Sequence, residues 1–196
     1  MIAVGSVPKY VALTPDNHTL LVTNWCTWDL SIIDVATAKE VRRVPIGRYP
    51  RGIAVSPDSS TAYVAVMGGD VVSAVDLATG AVRSLGYTGD GPRHIVIAPD
   101  GRTLYVTHNH SGTVVSLDVE SDSITHTVTT GVEPRSMAIS SDGTALYVVN
   151  YESSSVTKLA AADLSVIDEV STDYHPIGIT YEPTTRSRSE EHTSEL

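Results

Sequence analysis

Short runs of Val, Ile, Leu and Tyr, separated by clusters of Pro, Gly, Asp and Ser, follow one another along nearly the whole chain. In the first unit the runs fall at residues 10–13, 20–24, 30–35 and 40–46, and equivalents return 42 residues later. No stretch of useful length places apolar residues at the three-and-four spacing of an amphipathic helix, whereas β-branched and aromatic residues dominate each run. The pattern predicts an all-β chain.

The repeat is strict. Pro8, Pro50, Pro92, Pro134 and Pro176 stand 42 residues apart, Gly5, Gly47, Gly89 and Gly131 share one column, and Asp34, Asp76 and Asp118 share another. Ser56-Pro57-Asp58 and Ala98-Pro99-Asp100-Gly101 carry turn chemistry: proline presets φ, and the carboxylate can accept nearby amides, so each motif should reverse the chain between the first two strands. A second reversal follows Asp34 and Asp76. Each unit is therefore expected to be a four-stranded antiparallel meander. Such a sheet cannot bury both faces alone, but copies arranged radially can bury them against one another. The fold expected is a partial β-propeller over residues 1–185, with four blades and the start of a fifth in units opening near 8, 50, 92, 134 and 176. Residues 186–196 are expected to be a disordered tail.

The segments Thr103-Leu-Tyr-Val-Thr-His-Asn and Pro92-Arg-His-Ile-Val-Ile-Ala-Pro-Asp, with their counterparts in the other units, resemble the YVTN family of β-propeller repeats, which includes surface-layer and YncE-like proteins. The resemblance covers nearly everything from Gly5 to Pro183. It implies a ring of usually seven blades and an extracytoplasmic location: periplasmic, secreted or at the cell surface. It implies no particular reaction.

Residues 188–196, Arg-Ser-Glu-Glu-His-Thr-Ser-Glu-Leu, match the direct translation of a widely used short-read sequencing adapter, so the chain is expected to be a fragment that needs further blades for ring closure. Its formal charge of −10 argues against general binding to a nucleic-acid backbone. This fragment shows neither a signal peptide nor an apolar segment long enough to span a bilayer. Its single cysteine, Cys26, cannot form an internal disulfide.

Propeller topology turns sequence columns into places. Loops leading into the first strand of a blade share one face with the loops between its second and third strands. Arg51, Arg93 and Arg135 are thus expected in a ring at the channel mouth, with His94 beside them. A guanidinium fork suits carboxylate or phosphate, but a role within the repeat, bonding loop carbonyls or pairing with acidic neighbours, is the more expected one for these residues. Trp25, Trp28, His108, His110 and Tyr151 lie in the second loop set and would add aromatic surface and hydrogen-bonding groups. No nucleophile, base and orienting group form a catalytic constellation, and two histidines do not make a metal site, so no catalytic residue, metal or cofactor is expected. The reading is a scaffold that presents loops to a protein or small polar ligand. The alternative is a fragment of a propeller enzyme of the lactonase or quinoprotein dehydrogenase-like class.

Overall fold

The computed structural model describes residues 2–182 and, as backbone, 187–191. Four four-stranded sheets follow one another in meander order. The first contains β1 (Pro8–Leu13), β2 (Thr19–Asn24), β3 (Asp29–Asp34) and β4 (Lys39–Pro45). The second contains β5 (Pro50–Val55), β6 (Thr61–Val66), β7 (Val71–Asp76) and β8 (Val82–Tyr87). The third is built from β9 (Pro92–Ile97), β10 (Thr103–His108), β11 (Thr113–Asp118) and β12 (Ser123–Thr129). The fourth has β13 (Pro134–Ile139), β14 (Ala145–Asn150), β15 (Ser155–Ala160) and β16 (Val166–Ser171). A further antiparallel pair, β17 (Gly178–Glu182) with β18 (Ser187–Glu191), occupies the fifth position.

β18 covers five residues of the expected tail. The edge of β17 offers unpaired backbone amides and carbonyls, which a following segment can satisfy whatever its side chains. The remainder of that tail, residues 186 and 192–196, lies outside the described residues.

The hydrophobic cores lie between sheets. Leu21, Leu30, Ile32 and Val44 of the first blade pack on Ile53, Val64 and Val75 of the second. Tyr63, Val72 and Leu85 meet Ile95, Leu104, Val106 and Leu117 across the next interface. Tyr105 and Val114 pack with Met137, Leu146, Val148 and Leu159 across the third. Middle strands are buried on both faces, which explains their continuous apolar runs, while β12 and β16 are almost wholly exposed. That gradient follows from radial sheets, which diverge with distance from the axis and leave their outermost strands uncovered.

The turn columns work as local chemistry predicts. Thr37, Thr79 and Ser121 each donate both an amide and a hydroxyl hydrogen bond to the aspartate three residues earlier. At the opposite turns, Ser140 and Thr144 bond Asp142 in the same way that Ser56 and Ser60 bond Asp58. The Ser140 hydroxyl, then the Thr144 amide, pulls the Asp142 carboxyl down to about 2. Its folded value lies below the unfolded one of about 3.9, so this group stabilises the fold above about pH 4 and stops doing so as pH falls towards 2. Asp142→Asn should therefore flatten part of the acid side of the stability curve, read from urea midpoints between pH 5 and pH 2.5. An unchanged slope would rule out this contribution.

Among the described residues no helix is long and apolar enough to cross a membrane.

Candidate functional site: the channel and its rim

The first strands of successive blades, β1, β5, β9, β13 and β17, lie side by side. They curve, because residues two blades apart touch: the Tyr10 hydroxyl on β1 is 2.9 Å from His94 Nε2 on β9, with the rings edge to face. Gly52, the matching residue of the intervening β5, makes this possible. A Cβ there would lie 2.9 Å from the His94 Cα and 3.0 Å from the Arg93 carbonyl oxygen. The inner strands line an open-sided cavity of about 540 Å³ with residues of all five, including Tyr10, His94 and Ser136.

Arg51, Arg93 and Arg135 owe their position to a recurring irregularity. In β13 the pairing passes from Pro134 opposite Asn150 directly to Ser136 opposite Val149, and in β9 from Pro92 opposite His108 to His94 opposite Thr107. The arginine is the extra residue of a β-bulge each time, and β5 is irregular over Arg51 and Gly52. A bulged residue leaves the ladder, and its side chain is re-aimed. Here the result is convergence. Desolvation, followed by the charges of Arg51 and Arg135, pulls Arg93 down to about 9, and Arg51 is lowered by burial and then by Arg135. Arg93 still remains cationic at neutral pH.

Their partners differ. Arg135 Nη2 is 2.8 Å from the Glu133 carboxylate, and its guanidinium lies 3.3 Å from the Tyr151 ring centroid. Arg51 stacks at 4.5 Å over Trp25. Neither Arg51 nor Arg93 has a carboxylate within ion-pair distance among the described residues. The Nε atoms of Arg51 and Arg135 are buried without a hydrogen-bond partner among the described residues.

The rim also gathers the expected aromatics. Trp25 stacks on Tyr49 at 4.6 Å, Trp28 meets Tyr49 edge-on at 6.4 Å, and Arg48 lies over Trp28 and Tyr49. Across the mouth, Tyr151 stacks on His175 at 4.1 Å. Tyr10, Arg48, Tyr49 and His175 were missed by the sequence reading. Tyr10 shares a column with Gly52 and His94, and Tyr49 precedes a column proline, so register alone could have found both.

Three histidines part ways. His94 turns into the channel and does not join the arginines on the rim. His108 was expected in the loop beside His110, yet it is fully buried at the end of β10, in the column of Asn24 and Asn150, with Nε2 3.2 Å from the Thr88 hydroxyl. Its ring packs where a Cβ on Gly89 would sit, at 2.7 Å, so the glycine column exists to admit this buried column. His110 is exposed and lies 2.9 Å from Asp90. Among the described residues no three His, Cys, Asp or Glu side chains cluster to hold a metal.

These features define an incomplete propeller with a polar channel and a cationic, aromatic rim. A family model described as the cytochrome D1 heme domain matches residues 89–188, just over half of the chain, and the chain belongs to that family. A solved structure of hydrazine synthase from Kuenenia stuttgartiensis is 25% identical and superposes with a TM-score of 0.80 over 91% of this chain. The match covers 53% of that structure's chain, so the present chain spans about half of its length. No curated protein matches the sequence.

The family match overturns the YVTN assignment and its surface-layer and YncE-like associations, and the extracytoplasmic placement loses its basis. The physical reason is visible in the blades. Tyr63 and Tyr105 pack into inter-blade cores, while Asn24 and Asn150 brace the second hairpin through Ser31, Ser155 and Thr157. The signature thus describes how these blades are built and says nothing of what the ring holds. The expectation of no cofactor is likewise overturned, because the family is described as a heme domain. Sites on a ring are assembled from several blades and leave no local motif.

Proposed function

We propose that the chain is a segment of an enzyme-associated heme-domain propeller whose channel rim recognises the carboxylate groups of a tetrapyrrole. The observation that carries this reading is the convergence of three bulge-borne guanidiniums from successive blades, two of them without an acidic partner among the described residues. Guanidinium and carboxylate pair through parallel charge-assisted hydrogen bonds, and partly desolvated sites strengthen them. Tyr151 and Trp25, stacked on Arg135 and Arg51, restrain both forks before any ligand arrives.

The donor set fits the acidic arms of such a ligand and not its iron. The Nε2 atoms of His94 and His108 are engaged by Tyr10 and Thr88, His110 is paired with Asp90 in solvent, and the Nε2 of His175 on the rim lies 3.6 Å from the Glu152 carboxylate. Bound heme would contribute the redox chemistry of its metal. The part of this chain is to bind and orient the carboxylates and to keep water from them.

Titrating the chain with hemin, followed by Soret absorbance, tests the reading. Binding should weaken about tenfold or more for hemin dimethyl ester, and similarly for Arg51→Ala and Arg93→Ala. Equal affinity for the ester, or unaffected arginine variants, would refute it.

A further inference from the structure

Below the rim, the channel holds a second polar element, made by Tyr10 and His94 meeting across two blades. His94 is only 8% exposed, its Nδ1 is buried without a partner, and both residues line the cavity of about 540 Å³. Such a volume suits a small ligand. Its walls are mixed: Ile97, Ile139 and Ile179 stand beside Ser136, Thr180 and Tyr181.

The proton count of the pair is decisive. Burial, and then Arg93, pulls His94 down to about 4, and burial raises Tyr10, so at neutral pH both groups are uncharged. A neutral imidazole carries one N–H and a phenol one O–H. The pair thus owns two protons but makes one mutual hydrogen bond. If Tyr10 donates to Nε2, the remaining proton sits on Nδ1; if Nε2 donates to the phenol oxygen, the Tyr10 O–H is the one left over. In the first tautomer the donor left over is the buried Nδ1, and in the second it is the hydroxyl of the partly buried Tyr10; in either, one donor lacks an acceptor among the described residues. A buried donor without an acceptor is costly, and a cavity-lining one invites an acceptor from a bound molecule. Arg93, next to His94 in the chain and felt by it electrostatically, makes an anionic acceptor the better match.

We propose that the Tyr10–His94 pair heads a binding site inside the channel for a small monocarboxylate. The donor meets a carboxylate oxygen, and the isoleucines of the wall take the hydrocarbon body. The site does not depend on tetrapyrrole binding at the rim.

Benzoate is a suitable probe, with toluene as the analogue lacking an acceptor. Calorimetry on the full chain should show benzoate binding at least about tenfold more tightly than toluene. Nitrogen-15 spectra should show the two ring nitrogens of His94 shifting on saturation. Tyr10→Phe should weaken binding only a fewfold, because the imidazole proton remains, whereas Tyr10→Phe combined with His94→Phe should lose about tenfold or more. Should that double variant fail to fold, the wild-type nitrogen shifts decide alone. Absence of benzoate binding, unmoved His94 nitrogens at saturation, or loss in Arg51→Ala with none in the double variant would overturn the proposal.

Discussion

Replacing Gly52 with valine should destabilise the chain by about 3 kcal/mol, seen as a lower urea midpoint, with Gly52→Ala shifting it less in the same direction. The atoms that a Cβ would meet are all backbone: His94 Cα at 2.9 Å, the Arg93 carbonyl oxygen at 3.0 Å and the Ile95 nitrogen at 3.1 Å. A flexible side chain could swing aside, but the main chain of β9 can yield only if two inner strands separate. That separation would also pull His94 from Tyr10 and loosen the curvature of the channel. Gly69→Ala is the matched control, since a Cβ there meets nothing closer than 3.6 Å. A Gly52→Val midpoint indistinguishable from that control would show that β5 and β9 are not in such close contact.

The second large effect concerns the interface between the second and third blades. Leu104 is fully buried there, among Leu85, Ile95 and Leu117. Leu104→Ala should cost about 2–5 kcal/mol, combining lost transfer free energy with the cavity left behind. Ile124 on β12 is 42% exposed, and its truncation should cost under about 1 kcal/mol. In a row of repeats each unit leans chiefly on its neighbours. Hydrogen exchange in Leu104→Ala should therefore accelerate first at amides of β6 and β10, with β2 and β3 less affected. A uniform increase across all blades would contradict this local coupling.

Much of the fold was legible because its rules are short-range. Prolines at one spacing, aspartates that accept the amide three residues on, and Val-rich runs each act within one hairpin, so one sequence displays them again and again. Placing Arg51, Arg93 and Arg135 near one another required only the register and the rule that inner strands share an axis. The Tyr10–His94 contact was not visible, because it spans 84 residues and depends on curvature and on the missing side chain at Gly52. His108 was misplaced for the opposite reason. Its column was available, but a histidine among Asn and Ser suggested surface chemistry, and its burial depends on the space left by Gly89. Family identity was the hardest part, since the residues that carry the YVTN likeness serve blade packing and say little about what the ring holds.

The extra residue at the start of each of the first four inner strands sits outside the hydrogen-bonded ladder, and its identity varies with little consequence for the sheet behind it: Lys9, then arginine three times. Evolution can consequently edit such a mouth one letter per blade, adding, deleting or neutralising a charge while the architecture is inherited unchanged. Ligand preference and scaffold can then diverge at different rates, and duplicating a blade supplies a fresh, independently tunable position.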